Sequence, residues 1–107
     1  MNVTAQNETE KQIVKVMQEI TSLLILKNRD YGDASFNQGI IGNVIHLDDK
    51  ISRYKNLVYG SLNGKKPSFE SIDDTLRDII GYSVLGLIIL VRSRREGRDF
   101  FGLKVKK

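Results

Sequence analysis

The chain has 107 residues, 40% of them hydrophobic and 28% charged, with a formal net charge of +4. That is enough for one domain with a modest core. The absence of cysteine and the single histidine, His46, exclude disulfides, thiolate metal sites, cysteine nucleophiles and a multi-histidine metal site within one chain. One proline and 7% aromatics favour helices over a β-sandwich.

The polar, acidic N-terminus lacks the basic-then-apolar order of a signal peptide, so a cytoplasmic location is expected. Residues 5–28 read as a first helix, because Ile13, Met17, Ile20 and Leu24 recur at steps of three and four. Either Thr4, or Asn7 with Glu10, can cap its start, and Gly32 suits its C-terminal end. Leu23–Leu26 is apolar all round, which predicts that this half is the more buried. Residues 33–43, with Gly39 and Gly42, read as a structured loop.

A second helix is expected over 41–59, where Val44, Leu47, Ile51, Tyr54 and Val58 form an apolar stripe. Gly60–Pro67 is a turn-rich break. The third helix, Ser71–Arg95, carries the apolar run Ile79–Val91, with Ser71 and Asp74 as an expected capping box. Acids before the run and arginines after it suit the helix dipole. The run has 13 residues, short of the roughly 20 that span a bilayer. No membrane partner is expected. Such a helix belongs at the centre of a core or of an oligomer. Gly81 and Gly86 within it suggest close approach of another backbone.

The expected fold class is therefore all-α, with three long helices assembling into a helical-bundle homo-oligomer, a dimer or larger. Residues 1–96 read as one helical domain. Residues 97–107 read as a basic C-terminal tail in which Phe100 and Phe101 can dock onto the domain or a second subunit. The tail can also attract an anion, although no interleaving of aromatic and basic residues supports nucleic acid as a partner.

Two polar constellations stand out. Asp49, Lys50, Arg53 and Asn56 share part of the second helix, where Asp49 and Arg53 either pair at i, i+4 or face a ligand. Asp74 and Asp78 lie one turn apart. Either Asp73 and Asp74 serve the dipole while Asp78 pairs with Arg77, Arg53 or Lys50, or Asp74 and Asp78 ligate Mg²⁺ together with phosphate oxygens. A third element, Lys27–Ser35, crowds Lys27, Asp30 and Tyr31 at a helix end beside a Gly-containing loop suited to phosphates. Neither GxxxxGK nor GxGxxG occurs. His46 alone reads as a packed or surface histidine.

Lys27-Asn-x-Asp30-Tyr31-Gly32-Asp33, Gly39-x-x-Gly42, Asp49-Lys50-x-x-Arg53-x-x-Asn56-Leu57 and Glu70-Ser71-x-x-Asp74-Thr75-Leu76-x-Asp78 occur in that order. The series resembles the nucleotide modification associated domain, type one, a small helical family of phages and prophages, over about residues 27–91. The resemblance implies a nucleotide-type ligand. For a phage-encoded chain it implies the bacterial host cytoplasm. A more distant likeness is to the MazG-type all-helical pyrophosphohydrolases, which gather metal-binding acids from ExxE and ExxD helices. Here Asp74 and Asp78 are spaced by four, and the first helix has no ExxE.

The resulting candidate binding residues are Lys27, Asp30, Tyr31, Asp49, Lys50, Arg53 and Asn56, supported by Asp78 and Tyr82. Lys27, Lys50 and Arg53 are expected to neutralise phosphate, Asn56 or Asp30 to hydrogen-bond base or ribose, and Tyr31 to stack. The expected function is capture of a nucleotide or nucleotide-derived signal without turnover, with no catalytic residue and no cofactor. The alternative is Mg²⁺-dependent hydrolysis of a nucleoside triphosphate, with Asp74 and Asp78 as metal ligands.

Overall fold

The computed structural model describes residues 3–66, 68–99 and 101, with only the backbone at Asp33 and Ser35. It contains α1 (Glu8–Tyr31), a 3₁₀ turn (Gly32–Phe36), α2 (Gly39–Leu62) and α3 (Phe69–Arg95). No strand occurs among the described residues, so the chain is all-helical as expected. It divides into two units, Met1–Gly32 and Asp33–Lys107.

The first unit is α1. Its start is the expected Asn7–Glu10 cap: Asn7 Oδ1 accepts the Glu10 N–H at 2.8 Å, and Glu10 Oε1 accepts the Gln6 N–H at 3.2 Å. One of the donors that a helix start leaves orphaned is thereby satisfied, and the N–H just before the cap is held as well. The end is Gly32, at φ 61 and ψ −148, whose N–H reaches Asn28 O. That backbone region is open essentially to glycine. Burial along α1 corrects the expectation from sequence. Ile20 is buried, yet Leu23, Ile25 and Leu26 are exposed. At 100° per residue these three point in different directions, away from the line through Ile20 and the half-buried Leu24.

In the second unit α2 and α3 pack against each other. The helix α2 begins at Gly39, φ 62, two residues earlier than expected, and the Gly42 N–H already reaches Gln38 O at 3.2 Å. Residues 39–43 are thus helical rather than loop. The expected box at Ser71 and Asp74 is also corrected. The N-cap of α3 is Ser68, which makes no side-chain cap bond. Ser71 lies inside the first turn, where its carbonyl accepts the Thr75 hydroxyl at 2.7 Å. Arg92, Arg94 and Arg95 occupy the last turn, where cations suit the dipole. The Arg98 and Gly97 N–H groups bond Ser93 O and Arg94 O at 2.8 and 3.3 Å, the two bonds of a Schellman ending.

The two helices meet at Asn43. Its Nδ2 donates to Tyr82 O at 2.7 Å, and Asn43 itself is buried. A Cβ on Gly86 would stand 2.7 Å from Asn43 Oδ1. The glycine therefore makes room for a polar side chain, where sequence suggested another backbone. Nor is the apolar run of α3 enclosed, since Leu87 and Val91 are 63% and 61% exposed. The helix α2 covers one side of α3 and leaves the opposite side open.

Among the described residues no helix is long and apolar enough to cross a membrane. Phe100 and residues 102–107, with Lys104, Lys106 and Lys107 of the basic tail, lie outside the described residues.

Candidate phosphate-binding cleft

The polar side of α2 builds an open cleft of about 490 Å³, within the range of small-molecule sites. Asp49, Ser52, Arg53, Asn56 and Gly60 line it. Their offsets of 3, 4, 7 and 11 from Asp49 place them along one face of a helix. The other wall is the segment after α2, which supplies Lys65, Lys66 and Ser68.

Local sequence explains how two lysines return to the helix they have just left. Asn63 ends α2, its N–H bonding Tyr59 O and Gly60 O at 3.1 and 3.2 Å. Gly64 then takes φ 91, a left-handed value that costs other residues about 1–2 kcal/mol. The Lys65 N–H closes the reversal on Gly60 O at 3.0 Å. Gly60 has no side chain, so the Lys65 stem can lie against it: a Cβ there would touch Lys65 Cδ at 3.4 Å. The Ser61 hydroxyl, also at the cleft, donates to Leu57 O at 3.1 Å and retains acceptor capacity.

The charges are unequal. Arg53, Lys65 and Lys66 face a single carboxylate, Asp49. The expected i, i+4 pairing of Asp49 with Arg53 is not made, and none of the three cations has an ion-pair partner among the described residues. Three converging cations with hydroxyl and amide groups between them can bind a polyanion, above all phosphate oxygens.

The remaining candidates sit elsewhere. Lys50 turns towards α3 and pairs with Asp78, Nζ to Oδ2 at 3.0 Å, with both side chains about 30% exposed. This is one of the partners that sequence offered for Asp78. Tyr82 stacks on His46, ring centroids 4.9 Å apart and nearly parallel, so one ring face is already occupied. Asp73 pairs with Arg77 at 3.0 Å, while Asp74 is exposed. No group of three or more His, Asp or Glu side chains among the described residues is placed to hold a metal ion. Lys27, Asp30 and Tyr31 stand exposed at the C-terminal end of α1, in the first unit.

Asp49, Arg53 and Asn56 are the sequence candidates that the structure brings together. Ser52, Ser61, Lys65, Lys66 and Ser68 join them, and sequence reasoning missed all five. The available signal was the dibasic Lys65-Lys66 directly after an Asn-Gly turn, a place where the chain doubles back.

No curated protein and no solved structure matches the chain. The family model Nucleotide modification associated domain 1 matches residues 27–90, a span that takes in all of α2, the reversal with Lys65 and Lys66, and the greater part of α3. With more than half of its length covered, the chain belongs to the nucleotide modification associated domain 1 family.

Proposed function

We propose that the α2 cleft binds the phosphates of a nucleotide or nucleotide-derived signalling molecule, and that the protein captures this ligand without turning it over. The observation that carries the reading is the set Arg53, Lys65 and Lys66, converging on one cleft without ion-pair partners among the described residues. A polyanion entering the cleft gains charge-assisted hydrogen bonds from them. Asn56 and Asp49, which line the same cleft, would select base or ribose, since their oxygens accept from the N–H and O–H donors that an ionised phosphate lacks.

Capture is favoured over hydrolysis by the disposition of the acids. The hydrolytic route would use Asp74 and Asp78 with a further carboxylate on Mg²⁺. Asp78 instead holds Lys50 at 3.0 Å, an ion pair that competes with metal ligation. In a phage-encoded protein, stoichiometric capture would withdraw a cyclic nucleotide messenger from a host's defence.

The test is incubation with a panel of nucleoside triphosphates and cyclic dinucleotides, with and without Mg²⁺, followed by denaturation and chromatography. The expected result is intact ligand recovered from the protein in near-stoichiometric amount. Multiple-turnover, Mg²⁺-dependent product that disappears in Asp78→Asn would replace capture by hydrolysis.

A further inference from the structure

The open side of α3 has a pattern that the nucleotide reading does not use. Leu76, Ile80, Leu87 and Val91 fall within an arc of about 60° at 100° per residue. This arc lies roughly 130° away from Tyr82 and Gly86, the residues that meet Asn43 of α2. Leu76, Leu87 and Val91 are 39%, 63% and 61% exposed, and Ile80 is half-buried. Val84, Leu87, Ile88 and Val91, with Arg92 and Arg95 at one end, line a shallow groove of about 380 Å³ along the same side.

The spacing of the four seam residues is 4, 7 and 4, which reads the same in both directions. We infer that a second copy of this chain covers the seam, with the two α3 helices antiparallel about a two-fold axis between Ser83 and Val84. An isologous interface demands that whenever residue i meets j, j also meets i. About this axis Leu76 meets Val91 of the second copy, and Ile80 meets its Leu87. Ser83 at the midpoint is small, and its hydroxyl is already satisfied by Ile79 O at 2.8 Å, so no polar group is stranded there.

Charge selects the same arrangement. The register that matches the apolar residues sets Asp73 opposite Arg94 of the second copy, twice by symmetry. The Asp73 side chain accepts from Arg77 Nε through Oδ1 at 3.0 Å and is 59% exposed, so Arg94 of the second copy would join that pair; Arg94 is exposed with no partner among the described residues. A parallel pairing would set Asp73 against Asp73 and Arg94 against Arg94. Opposed helix dipoles favour the antiparallel pair as well.

Light scattering together with site-directed cross-linking tests this. The wild-type chain is expected at twice its mass of 12.2 kDa at tens of micromolar, and Leu87→Glu at half the wild-type value with an unchanged far-UV circular dichroism spectrum. Asp73→Arg is expected to raise the dimer dissociation constant, and Asp73→Arg with Arg94→Asp to restore it. The chain has no cysteine, so a single introduced one reports position cleanly, even where a charge in the seam prevents folding. Ser83→Cys is expected to cross-link to itself with a short bismaleimide. Leu76→Cys is expected not to, because antiparallel pairing separates the two copies of that residue by about 22 Å along the axis. A wild-type chain that stays at 12.2 kDa overturns the inference, as does an assembly that survives Leu87→Glu. Self-cross-linking of Leu76→Cys would make the pairing parallel and overturn it too.

Discussion

Two polar regions of the second unit lie on different sides of α2 and are finished differently. Where α2 meets α3, every polar group named has its partner. Asn43 donates to Tyr82 O, Lys50 holds Asp78, Thr75 bonds Ser71 O, and His46 lies flat on Tyr82. In the cleft on the other side, Arg53, Lys65 and Lys66 converge with no ion-pair partner among the described residues. Polar groups that satisfy one another hold helices in register. Exposed like charges gathered on one cleft are solvated and offer charge-assisted bonds to an anion. The contact between the helices is accounted for by stability, and the cleft is where we propose that the ligand binds.

The largest stability effect should come from filling the space at Gly86. A Cβ there already stands 2.7 Å from Asn43 Oδ1. Gly86→Leu is expected to cost the upper end of roughly 1–3 kcal/mol, read as a fall in Tm of about 4–8 °C per kcal/mol for a chain of this size. Asn43→Ala alone should cost about 1 kcal/mol for the lost bond to Tyr82 O. Because Asn43 is what Gly86 makes room for, Asn43→Ala should soften the penalty of Gly86→Ala in a thermal-denaturation double-mutant cycle. Simple additivity would break the account of this contact.

Lys50→Ala comes next. The pair with Asp78 is partly exposed, so solvent screening limits the loss to about 1 kcal/mol or less. That loss should shrink further in high salt. If Lys50→Ala instead abolished nucleotide binding at unchanged Tm, the division between the two regions would be drawn in the wrong place.

Much of this was legible in the sequence. Spacings of three and four located all three helices, and Asn7 with Glu10, like Gly32, marked the ends of α1. The errors have local causes. Ser71 and Asp74 have capping-box chemistry, but α3 starts two residues before Ser71 and leaves that serine inside the first turn. Leu23, Ile25 and Leu26 are hydrophobic without being buried, since composition does not say which directions around a helix are covered. Asp49, Arg53 and Asn56 were found because helical spacing joins them. Lys65 and Lys66 were missed because the reversal at Gly64, not any periodicity, returns them to Gly60.

The smallest stability effect belongs to the residues to which we assign ligand binding. Arg53→Ala, Lys65→Ala and Lys66→Ala, each at an exposed position, should each leave stability within about 0.5 kcal/mol of wild type. The decisive measurement is calorimetric titration of the wild type and of the triple variant with the same panel of nucleoside triphosphates and cyclic dinucleotides. The expected result is that the wild type binds at least one of them. Each single substitution should weaken that binding roughly tenfold or more, and the triple variant should bind none at unchanged Tm. Equal affinity in the wild type and the triple variant would contradict the assignment of the cleft.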